Sequence, residues 1–125
     1  VAEVRSRNLD KLNAQAAHMQ KCLQDACDEM GAKLEIELKT NYVSFNVAND
    51  DPMVQRVFES CKRIGCEPMT AKGGGGSDAN VMALHGIKPI VLSTGMTKVH
   101  TTSETLKIEN LNKCAELVLD LMTHE

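Results

Sequence analysis

Two stretches carry residue types that do chemistry. The first is Gly73-Gly-Gly-Gly-Ser-Asp-Ala-Asn80. Successive glycines let backbone N–H groups approach a ligand closely, and a helix starting near Ser77 adds partial positive charge at its N-terminus. Such a turn suits a carboxylate or a phosphate. It lacks the G-x-G-x-x-G order and the G-K-[S/T] ending of nucleotide-binding turns. The same residues also read as a flexible linker. The second stretch is the polar loop Ser93 to Ser103, which holds His100, with Glu104 four residues on. A neutral imidazole is a good zinc ligand, and its other nitrogen usually has an orienting partner. The plain alternative is an exposed loop histidine.

The cysteines offer less. Cys22, Cys27, Cys61, Cys66 and Cys114 contain no C-x-x-C, and both close pairs are five apart. That spacing suits neither a zinc knuckle nor a redox pair. They read as small buried or half-buried thiols in a reducing, cytoplasmic setting.

The elements that must position these residues follow from periodicity. Residues 1–7 alternate loosely and read as a strand. Asn8 can cap a helix whose apolar stripe is Leu9, Leu12, Ala16, Met19, Leu23, Ala26 and Met30, with Gly31 as its stop. Lys33 to Lys39 alternates strictly, with Leu34, Ile36 and Leu38 on one face, and Val43, Phe45 and Val47 continue the pattern. Asp51 and Pro52 open a second helix with Val54, Val57, Cys61 and Ile64 on its stripe, ended by Gly65. Cys66 to Ala71 reads as a short strand leading into the glycines. Ser77 to Leu84 reads as a short helix closed by His85-Gly86, and Ile87 to Leu92 as a buried strand. A last helix begins near Ile108 with Leu111, Cys114, Val118 and Leu121 on one face. This is an α/β pattern with a parallel sheet. Two strands and one helix expose a sheet edge, so the reading implies further strands outside the chain.

Composition excludes several classes. The chain has 125 residues, 42% hydrophobic and 25% charged, which is a globular rather than a disordered profile. A compact chain of this length buries roughly two-thirds of its unfolded surface. With two Phe, one Tyr and no Trp, any core is aliphatic and Met-rich. The net charge of -3, without a basic run or stacking aromatics, argues against nucleic acid as a partner. No apolar run approaches a membrane span, and no secretory leader opens the sequence.

Gly74-Gly-Gly-Ser-Asp-Ala-Asn80, Gly86-Ile87, Leu92-Ser-Thr-Gly95 and Val99-His100-Thr-Thr-Ser-Glu104, taken in that order, resemble the C-terminal end of peptidase T-like di-zinc metallopeptidases. The wider family includes carboxypeptidase G and succinyl-diaminopimelate desuccinylase. Ala2-Glu-Val-Arg-Ser6, the long helix and the Tyr42 region resemble the second half of that family's lid, or dimerisation, domain. The resemblance implies an incomplete α/β fold. Residues 1–47 would be part of a lid βαβ unit (strand, helix, strand), and 48–125 the C-terminal part of the catalytic α/β domain.

It further implies a tripeptide aminopeptidase in which two divalent metals, zinc in the usual case, activate a water. His100 would be the last metal ligand, with Glu104 ordering its loop. Gly75, Gly76 and Ser77 would touch substrate through the backbone and Asn80 through its side chain. Some relatives place Arg at the position of Asn80, where Asn keeps a donor but loses the charge. Thr94 and Gly95 would line the pocket. No catalytic residue is assigned. The family's first metal His, bridging Asp, general-base Glu and two carboxylate ligands lie upstream of such a piece, and no H-x-D motif or Glu-Glu pair stands here. The chain alone would then be inactive, without tightly bound metal. Its partners would be a short peptide, the remainder of the parent enzyme and a second copy. The rival reading is a non-catalytic anion-binding or dimerisation module. Arg5 and Arg7 read as solvated or salt-bridged, Asp78 as a helix-dipole residue, and His18, His85 and His124 as structural or exposed.

Overall fold

The structure is a computed structural model that describes residues 1–124. Four helices carry the regular structure: α1 (Leu9–Met30), α2 (Pro52–Arg63), α3 (Asp78–Leu84) and α4 (Ile108–Thr123). Each starts and stops where local chemistry dictates. The Asn8 side chain accepts from Lys11 N at 2.9 Å to cap α1. At its far end Gly31 takes the left-handed conformation (φ 65°), and Ala32 N donates to Cys27 O at 2.8 Å. Asp51 caps α2 by accepting from Met53 N at 3.0 Å, and Pro52 occupies the first helical position.

The segments read as strands form no ladder. Among the described residues the one β pairing is the antiparallel bridge between Thr97 and Thr105. The unit expected over residues 1–47 is present as segment, helix, segment, joined where Ser44 Oγ donates to Arg7 O at 3.0 Å. The parallel sheet expected further along is likewise not formed. The physical reason is that a strand is defined by its neighbour. Alternation selects a face, but the N–H and C=O groups need a second strand in register. Without it Ile36 stays 41% and Leu38 62% exposed.

The described residues divide into two compact units. One comprises Val1–Asn46 with Lys72–Ile87, and the other Val47–Ala71 with the segment from Lys88 onward. In the first unit, α1 has no buried residue. Leu12, Ala16 and Met19 are half-buried, while Leu9, Leu23 and Met30 are exposed.

In the second unit α2 packs on α4. Arg56, near the start of α2, donates to Leu121 O (2.7 Å) in the last turn of α4 and to His124 O (2.8 Å) just after it. Lys113, near the start of α4, donates to Ile64 O at 3.1 Å at the end of α2. Each helix thus caps the other's orphan carbonyls, and the two run antiparallel. Between them Asp120 is buried. Its carboxylate accepts from Ser60 Oγ (2.5 Å) and from Arg63 Nε (2.9 and 3.1 Å). His124, expected at a fraying end, is tied back through its N–H to Asp120 O at 3.0 Å.

The aliphatic, Met-rich core expected from composition is not assembled. Val54 is the one buried hydrophobic side chain among the described residues. A compact monomer of this size exposes about 6,600 Å²; this chain exposes 10273 Å². The expected apolar face of α4 is split. Cys114 and Leu121 are half-buried, but Leu111, Cys114 and Val118 line an open apolar hollow with Ala115, Leu119 and Met122. A single stripe presupposes one neighbour for α4, whereas apolar residues surround most of the helix.

Candidate functional site

The glycine turn belongs to the first unit. α3 begins at Asp78 with Ser77 as its N-cap. Asn80, 8% exposed, is occupied at both ends of its amide. Its Oδ1 accepts from Ser77 N at 2.9 Å, and its Nδ2 donates to Val43 O at 2.8 Å. Asn80 N donates in turn to Ser77 O at 3.0 Å. The side chain therefore closes the turn onto the helix and ties it to the segment after α1. Ser77 N, expected to face a ligand, is committed to Asn80, while Gly75 N and Gly76 N have no hydrogen-bond partner among the described residues. The turn thus keeps two free amides beside a helix N-terminus, which is the chemistry of an anion or carbonyl cradle.

The His100 loop belongs to the second unit. It is strapped at its neck by Thr97 and Thr105, whose backbones exchange hydrogen bonds of 2.9 and 3.2 Å and whose hydroxyls lie 2.9 Å apart. Inside the strap Thr101 N (3.2 Å) and Thr101 Oγ1 (2.8 Å) both donate to Lys98 O. Two non-glycine residues are left-handed here, Lys98 at φ 53° and His100 at φ 65°. Such a conformation costs a side-chain-bearing residue about 1–2 kcal/mol and persists where surrounding bonds impose it. At His100 the imposing bond comes from Glu104, whose Oε2 accepts from His100 N at 2.7 Å. Glu104 holds the histidine by its backbone, and no hydrogen bond joins it to the ring among the described residues. Neither ring nitrogen has a hydrogen-bond partner among the described residues, so the imidazole is held out by its main chain and left available.

Thr94 and Gly95 lead into this loop. Thr94 Oγ1 is enclosed and has no hydrogen-bond partner among the described residues. Gly95 lies at φ 78°, its N–H donating to Ser93 Oγ at 3.2 Å, while its carbonyl accepts from Asn110 Nδ2 at 3.2 Å. A Cβ at Gly95 would stand 2.6 Å from Asn110 Nδ2 and 3.1 Å from its Cγ. Both the backbone angle and the neighbour exclude a side chain. Gly95→Ala is therefore expected to destabilise the protein by about 1–3 kcal/mol, read as a lower denaturant midpoint. A midpoint equal to that of the wild type would show that the loop shifts freely around Asn110.

The remaining candidates are structural. Arg5 pairs with Glu3 at 2.7 Å. His18 Nε2 lies 3.6 Å from Cys22 Sγ on exposed α1, and His85 ends α3. All five cysteines are free; Cys22 is exposed and the other four are half-buried. Burial, with Cys66 as a lesser cause, pushes the Cys61 thiol above its ordinary pKa, so it is not primed as a nucleophile. Asp120 and Asn110 had no signal in the sequence beyond a lone charge inside an apolar run and a first-turn asparagine.

No group of three or more His, Cys, Asp or Glu side chains among the described residues is placed to hold a metal. The donors present do not make a metal site by themselves. No helix among them is long and apolar enough to cross a membrane.

Comparison with known proteins extends this picture. The chain is 35% identical over 122 residues to the uncharacterised protein YqjE of Bacillus subtilis, covering 98% of this chain and 33% of that protein. It superposes on the crystal structure of aminopeptidase PepT from Bacillus cereus with a TM-score of 0.74 at 37% identity, over 91% of this chain and 31% of that one. On a tripeptidase from Staphylococcus aureus the TM-score is 0.82 at 30% identity, over 93% and 31%. The chain thus spans about a third of the length of these relatives. The family model described as peptidase family M20/M25/M40 matches residues 4–124, and the chain belongs to that family.

Proposed function

We propose that residues 1–125 form the C-terminal part of a peptidase T-like enzyme that removes residues from short peptides, acting as a tripeptide aminopeptidase in the cytoplasm. The similarity to an aminopeptidase and to a tripeptidase, each about three times as long, supports this reading. In it, residues 1–47 belong to a lid through which copies of the enzyme associate, and 48–125 to the catalytic domain. The segments without ladders and the uncovered faces of α1 and α4 pack against the rest of the protein.

The observation that carries the reading is the exposed imidazole of His100, held left-handed by Glu104 and free of partners at both ring nitrogens. His100 would supply one ligand to a pair of divalent metals, zinc in the simplest case, whose other ligands would lie outside this chain. If bound, such metals would supply an activated water as the nucleophile. The chain's own residues do the holding. Gly75 N and Gly76 N donate to the peptide, Asn80 and Ser77 fix the turn that presents them, and Gly95 and Thr94 line the approach to the histidine. Thr94 Oγ1 finds its partner on a group outside the described residues.

The test is to assay the full-length protein, supplied with zinc, cobalt or manganese, against tripeptides, dipeptides and N-acyl amino acids. Expected is turnover of tripeptides with a free amino group, abolished by a chelator, and none by the isolated 125-residue chain. Robust turnover by that chain alone overturns the incomplete site. Ligand binding without turnover by the full-length protein favours a binding module instead.

A further inference from the structure

The four successive glycines are not equivalent. A side chain at Gly73, Gly74 or Gly75 would meet nothing within 4 Å. A Cβ at Gly76 would overlap Cγ, Cδ2 and Cε2 of Tyr42. Glycine at position 76 is thus required by a ring lying on it and not by a left-handed backbone angle. Tyr42 is the chain's one tyrosine, 48% exposed, and its hydroxyl has no hydrogen-bond partner among the described residues. One residue further, Val43 O accepts from Asn80 Nδ2 at 2.8 Å. Two neighbouring residues of one segment therefore hold both sides of the turn. The ring bears on the glycine before the helix, and the carbonyl anchors the asparagine inside it.

A run of four glycines has the greatest backbone freedom of any sequence. The amides of Gly75 and Gly76 have no partner within the turn that could fix them. Whatever orients them must come from outside, and the structure supplies the Tyr42 ring for that purpose. We propose that Tyr42 is a positioning residue: its ring presses on Gly76 and sets the direction in which the Gly75 and Gly76 amides meet the substrate's carboxylate or carbonyl oxygen. The aromatic face does this work and the hydroxyl takes no part. The inference rests on the reading that this turn binds substrate, and it assigns to a residue of the lid segment a share in substrate affinity.

The experiment is a double-mutant cycle in the full-length protein, with KM and kcat for a tripeptide, metal content and thermal midpoint measured for each variant. Gly76→Ala and Tyr42→Ala are each expected to raise KM about tenfold with a smaller change in kcat, since misplacement by a fraction of an ångström is enough. In the Tyr42→Ala background Gly76→Ala is expected to add nothing, because the ring it collides with is gone. Tyr42→Phe, which keeps the ring, restores the wild-type KM. Metal content stays at the wild-type value in every variant, and the thermal midpoint does so in Tyr42→Ala and Tyr42→Phe. Independent, multiplying increases in KM overturn the inference while leaving the peptidase reading intact, as does a loss in Tyr42→Ala that follows a lowered thermal midpoint. A metal-loaded wild type that hydrolyses no peptide removes the reading beneath it, and the inference falls with it.

Discussion

His100→Ala in the full-length protein is expected to lower kcat/KM for a tripeptide by more than the roughly 100-fold typical of losing a group that merely supports a metal ligand. Metal content measured on the purified variant should fall as well. The thermal midpoint of the metal-free protein should hardly change. These outcomes follow from how the residue is placed. Its ring makes no hydrogen bond among the described residues, so removing it breaks no internal bond of the fold. Its backbone is left-handed, and alanine carries a similar cost there. The contact that fixes the loop runs from His100 N to Glu104 Oε2 and survives the substitution. A variant that keeps its full metal complement and its activity would remove His100 from the ligand set. Glu104→Gln then separates position from ligation: it keeps an acceptor for His100 N and should retain far more activity than Glu104→Ala.

The second large effect concerns stability and pH. Hydrogen bonds from Arg63 and then from Ser60 hold the Asp120 carboxyl at about 2, below its ordinary 3.8. The folded state therefore prefers the carboxylate more strongly than the unfolded state does. The stabilisation is fully present above about pH 4 and is lost as pH falls toward 2. Thermal midpoints of the wild type should drop through that window. Asp120→Asn should be less stable at neutral pH and should show less of that acid drop. The loss at neutral pH arises because Arg63 and Ser60 keep their donors but face a neutral amide, and the α2–α4 contact is built on that carboxylate. If the variant follows the same pH curve as the wild type, other carboxylates set the acid limit. His124 Nδ1 lies 3.2 Å from Asp120 Oδ1, a third neighbour of the carboxylate after Arg63 and Ser60.

Both results depend on contacts that residue order could not reveal. Local chemistry, by contrast, was legible. Asn8 and Asp51 as caps, Pro52 at the first helical position and Gly31 as a left-handed stop all act within four residues along the chain, so the sequence alone places α1 and α2. The same holds for the start of α3 at the glycine turn and the start of α4 at Ile108. The order of glycine turn, Leu92-Ser-Thr-Gly95 and His-Thr-Thr-Ser-Glu was enough to point to the family, because such motifs are short and contiguous.

Tertiary structure decided the rest. Alternation in Lys33 to Lys39 fixes which side chains share a face, yet a ladder needs a partner strand, and none of the described residues provides one. The sequence offers Asn80 as a donor to substrate, and the fold turns it inward to Ser77 and Val43. The sequence offers Glu104 to order the loop, and only the tertiary structure decides that it does so through a backbone N–H and not through the ring. Tyr42 over Gly76 joins residues 34 positions apart, and Asp120 on Arg63 joins residues 57 apart. Contacts over such separations arise when the chain closes a loop, and no pattern of nearest neighbours along the sequence encodes where that closure lands.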